Sequence, residues 1–399
     1  MIRSKLNQRI ADWLESRGVT PSYSGWLLGS LAIFFFIAAT NTMSGWLYVL
    51  SSIGVALLGV AALLPDRVLR GIRVQRSPIA PVSAGEPVTI EVQLENTTTR
   101  PKALVQVRDL LPVGLGEPAT TAIESFAPRT QHSWIYRQPT QRRGIYRWQT
   151  LHLRTAAPLG LFWCRRSRPA AARAIVYPTV LPLARCPLID QMGRDASLQF
   201  NSDRRSQSAT EGITRSLRPY RWGDPTRLVH WRTSARYGEL RVRELELLTG
   251  GQELVICLDT GAEWRSSRTA IEPPEAFEQA VVAAASLYFY AHSRSLNAHL
   301  WTAETGEVHG NAAVLETLAA VQMGQSSVGE LPIAAIVWLT PNPASLNALP
   351  PGSRWLLWSN AATDLEPAQF SLEPRSPFGL VIYSAQSLTT QLQAELKTL

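Results

Sequence analysis

Residues 23–64 read YSGWLLGSLAIFFFIAATNTMSGWLYVLSSIGVALLGVAALL, and no Asp, Glu, Lys, Arg or His occurs anywhere from Gly18 to Pro65. Two apolar runs, Tyr23 to Thr40 and Trp46 to Leu64, each approach the roughly 20 residues that a helix needs to cross a bilayer core. The break between them, Asn41-Thr42-Met43-Ser44-Gly45, is built from turn formers, so the stretch predicts an antiparallel transmembrane helical hairpin. Tyr23, Trp26, Trp46 and Tyr48 fall near the ends, where aromatic rings favour the interface. Arg3, Lys5, Arg9 and Arg17 precede the hairpin and Arg67, Arg70, Arg73 and Arg76 follow it, whereas the turn carries no cation. Cationic flanks are retained on the cytoplasmic side, which predicts an inner (plasma) membrane protein with two spans and both termini in the cytoplasm. A cleaved signal peptide is the rival for the first run, but the second run would then stop transfer and give the same topology. Ile2, Leu6, Ile10, Trp13 and Leu14 share one helical face, which suits a helix lying on the inner leaflet; a fraying cationic tail is the alternative.

Outward from the hairpin the pattern changes three times. The chain has 399 residues, 45% of them hydrophobic, enough for two or three compact domains. Its net charge of +8 comes from basic residues concentrated before residue 250, with acidic ones in excess after it, and is no nucleic-acid signature without a focused patch. Residues 1–70 hold the amphipathic N-terminus and both spans. Residues 71–182 alternate apolar and polar side chains in short runs such as PVTIEVQLEN and GIYRWQTLHLRT, which predicts a β-sandwich-like module. Residues 183–249 read as a polar linker followed by an arginine-rich segment. Residues 250–399 alternate apolar strands with helices: ELVICLDT, PEAFEQAVVAAASLYFYAHS, NAHLWTA, NAAVLETLAAVQ, IAAIVWLT, RWLLWSN, GLVIYS and a terminal amphipathic helix from about Ala385 to Lys397. That pattern predicts an α/β module with a largely parallel sheet and helices on both faces. The expected fold class is thus a multi-domain, membrane-anchored α+β protein. Cys164, Cys186 and Cys257 are scattered without metal-ligand spacing, as buried thiols of a reducing compartment would be.

The arginine-rich segment is RPYRWGDPTRLVHWRTSARYGELRVR, residues 218–243. Gly223 supplies a bend, Asp224 followed by Pro225 predicts a helix start, and Gly238 predicts its end after Arg236 or Tyr237. On that helix Leu228, Trp231 and Ala235 share an apolar face, while Arg232 and Arg236 lie one turn apart and need an outside anion or carboxylate. Eight arginines face Glu211, Asp224, Glu239, Glu244 and Glu246 between residues 211 and 246, so an internal ionic brace is expected ahead of a phosphate or nucleic-acid grip. His230 and Ser234 are one turn apart, but that spacing alone does not make a nucleophile and its base. The chain contains no G-x-S-x-G, H-E-x-x-H, P-loop or G-x-G-x-x-G motif.

SLRPYRWGDPTRLVHWRTSARYGELRVRE resembles the defining motif of the domain of unknown function 58 family, and RGIYRWQTLHLRTAAPLGLFW is similar to that family's upstream region. By this resemblance the motif residues are Arg218, Tyr220, Gly223, Asp224, Pro225, Arg227, His230, Trp231, Ser234, Ala235, Arg236, Leu240, Arg243 and Glu244, with an interaction or structural role. The resemblance implies a bacterial or archaeal membrane protein that accompanies MoxR-type AAA+ ATPases, with a C-terminal module like a von Willebrand factor A domain. Metal-binding domains of that kind end their first strand in Asp-x-Ser-x-Ser, where hard oxygens hold Mg²⁺. Here Asp259-Thr260-Gly261-Ala262-Glu263 keeps the aspartate and loses both serines, so Asp259 and Glu263 form at most a degenerate metal site, and no cofactor is expected.

The leading expectation is a non-enzymatic scaffold or adaptor facing the cytosol. Its partners would be the lipid bilayer and a MoxR-type AAA+ ATPase, with no nucleic acid. The alternatives are an anion- or metal-dependent enzyme centred on the arginine segment, with His230 as base and Arg232 or Arg236 on a phosphate, and a nucleic-acid-binding protein.

Overall fold

The computed structural model describes residues 18–192, 213–221, 224, 226–246, 253–264, 275–324, 332, 334–359 and 378–395. The expected N-terminal surface helix, Trp222, Gly223, Pro225, the side chains of Arg227 and Glu244, and linker residues 193–212 lie outside them. The chain divides into two compact units, Met1–Tyr177 and Pro178–Leu399.

In the first unit, β1 (Thr20–Pro21) leads into α1 (Tyr23–Thr42) and α2 (Gly45–Leu69), both long and apolar enough to cross a membrane. The turn is tighter than the sequence suggests, because Asn41 and Thr42 remain helical and only Met43, in the left-handed region at φ 51°, and Ser44 separate the helices. The second helix also runs on through Pro65 instead of ending at Leu64. Small residues, Ala32, Ala39, Ser51, Gly54 and Ala61, are among the buried positions of the two helices. Ser51 Oγ donates to Ala32 O at 2.9 Å, and a Cβ added to Gly54 would lie 3.1 Å from that of Ala32. Where both partners are bathed in lipid, such close backbone approach and interhelical hydrogen bonding drive association.

The strands that follow are β2 (Ile72–Arg76), β3 (Val82–Ser83), β4 (Pro87–Asn96), β5 (Lys102–Asp109), β6 (Ala119–Phe126), β7 (Gln131–Pro139), β8 (Gly144–Thr155) and β9 (Phe162–Tyr177). One sheet runs β1-β9-β8-β5-β6 with β3 added to β9, and the other runs β2-β4-β7. Period-two alternation sends Val88, Ile90, Val92 and Leu94 of β4 into the same core as Val105, Val107, Leu151, Leu153 and Val176 from the other sheet. One polar node sits in this core. Asp109 pairs with Arg76 and accepts from Tyr136 Oη at 2.7 Å and Trp148 Nε1 at 3.0 Å. Burial pushes the Asp109 carboxyl up, against the pull of Arg76.

The β strands also hold both ends of the helical pair. Ser22 Oγ caps α1 by accepting from Gly25 N, and donates to Gly160 O at 2.6 Å. At the other end, Lys102 Nζ donates to Val68 O at 2.6 Å and to Arg70 O, and Arg168 Nη2 donates to Leu69 O at 2.9 Å. Asp66 pairs with Arg166 at 2.8 Å and Arg70 at 2.7 Å. The last carbonyls of a helix lack internal donors and carry partial negative charge, so cations from β5 and β9 are well matched to them.

In the second unit residues 187–192 are helical and Cys186, Leu188, Ile189 and Met192 are buried, so this stretch is not the linker expected from its polar sequence. Next come β10 (Ile213–Pro219), α3 (Trp231–Tyr237) and β11 (Arg241–Glu246). The remainder is β12 (Glu253–Leu258), α4 (Glu275–Ser293), β13 (Asn297–Thr302), β14 (Gly306–Val308), α5 (Asn311–Ala320), β15 (Ile336–Thr340), β16 (Arg354–Ser359), β17 (Gly379–Tyr383) and α6 (Leu388–Leu392). Its sheet runs β14-β13-β12-β15-β16-β17, parallel except for β14 at the edge. Among the described residues the expected helices do not cover both faces. Leu254, Ile256 and Leu258 pack with α4 and α5 in one cluster, whereas Val255, Cys257, Trp301, Trp338 and Trp355 pack on the other face with Leu346, from a 3-10 turn. The terminal helix is confined to a short α6.

Candidate functional site

β10 and β11 form an antiparallel ribbon with Leu217 opposite Arg243, Arg218 opposite Val242 and Pro219 opposite Arg241. The intervening chain folds back on the ribbon. Tyr220 N donates to Leu240 O at 2.8 Å, His230 N to Arg241 O at 2.8 Å, and Val229 bridges Val242. The helix does not begin at Asp224: a 3-10 turn, Thr226–Leu228, comes first, and α3 starts only after His230. The reason is local. Both Asp224 oxygens are engaged by Arg218, at 2.7 and 2.8 Å, and Oδ2 also accepts from Arg221 N at 2.8 Å, so the carboxylate closes the preceding loop. These bonds, first those from Arg218, hold the Asp224 carboxyl below the ordinary aspartate range.

His230 takes over the cap, its ring Nδ1 accepting from Thr233 N at 3.2 Å and lying 2.7 Å from Thr233 Oγ1. Ser234, buried, accepts from Arg241 N at 2.8 Å and donates to His230 O at 3.1 Å. His230 and Ser234 are thus brought together through the backbone. Gly238 ends α3 at φ 71°, as the sequence predicts, and the Arg241 guanidinium lies over the Tyr237 ring at 4.7 Å.

Arg218 and Arg241 therefore brace the fold, while other side chains of the segment point outward. Trp231 is 65% exposed, Tyr237 60% and Leu240 46%, and Arg232, Ala235, Arg236 and Arg243 are exposed as well. Trp231 and Ala235, which the sequence places on one apolar face, are exposed, and the buried residue of α3 is Ser234.

At the carboxyl ends of the parallel strands, Asp259 follows β12 at the point where strand order reverses, with β13 on one side and β15 on the other. Its Oδ1 accepts from Ala262 N at 3.1 Å and its Oδ2 from Thr340 Oγ1 at 2.7 Å, while Glu263 is exposed. Asp259 and Glu263 belong to no group of three or more potential ligands among the described residues. Such a group does occur on the β13–β14 hairpin, at His299, Glu307 and His309. Spacing alone hides it, because its members come together only through strand register.

Residues 216–309, from within β10 to just past β14, match the family described as Protein of unknown function DUF58. No curated protein sequence matches the chain significantly. Among solved structures, the CARDB domain of a Pyrococcus furiosus protein is similar at 12% identity over 26% of this chain and 93% of that one, with a TM-score of 0.18. An alkylpurine DNA glycosylase from Pseudomonas fluorescens shares 15% identity over 37% of this chain and 44% of that one, TM-score 0.18. A beta-glucosidase from Listeria innocua shares 11% over 25% and 16%, TM-score 0.15. Scores this low carry no weight for fold or function.

Proposed function

We propose that the chain is a cytosol-facing docking protein of the inner membrane, without catalytic activity of its own, that holds a MoxR-type AAA+ ATPase during complex assembly or maturation. The partner is inferred from the resemblance to the family. The observation that carries the docking role is the outward face of α3, where Trp231 and Tyr237 stand beside Arg232 and Arg236 on a helix fixed from below by Ser234 and Arg241. Aromatic and arginine side chains dominate binding hot spots, and here they suit an acidic partner surface. On this reading the sheet of β12 to β17 is a von Willebrand factor A-like module that uses Asp259 to tie β12 to β15 and takes no cofactor. The test is crosslinking in native membranes. The wild-type chain is expected to capture an AAA+ ATPase, and Trp231→Ala with Arg236→Glu to lose it at unchanged expression. Repeated failure to recover an ATPase, or equal capture by the double variant, would overturn the reading.

A further inference from the structure

His299, Glu307 and His309 each offer a ligand atom, and these atoms all lie within 4.8 Å of one another. The hairpin register explains why. Leu300 pairs with Val308, Trp301 with Glu307 and Thr302 with Gly306, so the next pair outward sets His309 opposite His299. Directly opposed residues of an antiparallel pair share a face with their Cβ atoms about 5 Å apart, and Glu307, two residues before His309, lies on that same face. The two imidazole rings meet edge to face with centroids 4.1 Å apart. His299 is half-buried beside the central strand, with Val255 as its neighbour in register, whereas Glu307 and His309 are exposed.

We propose that this hairpin holds a borderline divalent transition metal, Zn²⁺ being the type, through two imidazoles and one carboxylate. Tetrahedral Zn²⁺ with bonds near 2.0 Å sets its ligand atoms roughly 3.3 Å apart, a closure that exposed Glu307 and His309 reach by small side-chain rotations. The donor set excludes Mg²⁺ and Ca²⁺ as the preferred ions, because those require convergent oxygens. Three protein ligands leave the fourth position to solvent, and the exposure of two of them places it on the outside of the sheet. Bound metal also clips β14, which among the described residues pairs only with β13, to the rest of the sheet. The site is separate from Asp259 and from the docking face on α3, and stands whether or not an ATPase binds.

Co²⁺ titration of the full chain in detergent, purified without a histidine tag, reports coordination directly. Visible bands are expected to saturate at about one equivalent, to vanish on adding Zn²⁺ and to persist in excess Mg²⁺. His309→Ala and His299→Ala are expected to weaken binding by about 100-fold or more, and Glu307→Gln to weaken it with an unchanged far-ultraviolet spectrum. X-ray absorption of the Zn²⁺-loaded wild type, which needs no variant to fold, is expected to show imidazole scattering. Absence of saturable binding, equal binding by His299→Ala/His309→Ala, displacement by Mg²⁺, or a spectrum without imidazole would overturn the proposal.

Discussion

At the scale of single residues, Asp224 shows how one carboxylate redirects a segment. Asp-Pro is a strong helix-start signal, yet the Asp224 oxygens are taken by Arg218 and by the Arg221 amide, and His230 caps the helix in its place. Because the folded carboxyl titrates below its unfolded value, its stabilisation is complete above the ordinary aspartate range and is lost as pH falls through the lowered folded value. Carboxylate NMR is therefore expected to show an Asp224 midpoint below that of an unstructured aspartate, returning towards it in Arg218→Ala. An ordinary midpoint in the wild type would remove the bidentate pair from the account.

At the scale of elements, Lys102 is the most informative contact, because it joins a strand of the sandwich to the end of an apolar helix. It is 5% exposed, and its ammonium meets Val68 O and Arg70 O. Lys102→Met keeps the stem and removes the donor, leaving part-buried carbonyls without it at a cost of about 1 kcal/mol. Thermal unfolding in detergent should show a lower Tm than wild type, and an unchanged Tm would mean that water replaces the ammonium. Contacts of this kind were illegible in the sequence, where Lys102 is one cation among many. Elements with a strong period were legible: the two apolar helices, β4 with its strict alternation, and the parallel strands of the last module. β6 was not, since ATTAIESF buries only Ile123 and Phe126. The ligand group on β13 and β14 escaped because its members meet only through strand register, while local pattern reports neighbours along the chain; the late start of α3 escaped because Arg218 and the Arg221 amide take the Asp224 oxygens, a choice of partner that the Asp-Pro signal does not reveal.

At the largest scale, the two apolar helices of the first unit are long enough to cross a membrane and are fastened to its strands at both chain ends. A flexible tether would leave the soluble part free to tumble. Here, by contrast, Ser22 is bonded to the chain before β9, and Lys102, Arg166 and Arg168 meet the far end of α2. These contacts tie both chain ends of the helical pair to the strands of the same unit, so if the pair spans a membrane its orientation sets which side the strands occupy. The three native cysteines are all buried, and burial pushes the Cys186 thiol up to about 11, so they leave little labelling background. Two exposed positions on opposite sides of the apolar helices, Met43 at 90% and Val113 at 97%, are suited to a single introduced cysteine each. With both flanks of the hairpin cationic, Met43→Cys is expected to react with an impermeant maleimide on intact cells, and Val113→Cys only in inverted vesicles. The opposite pattern would place the α3 face outside the cell, out of reach of any cytosolic ATPase, and the docking proposal would fall with it.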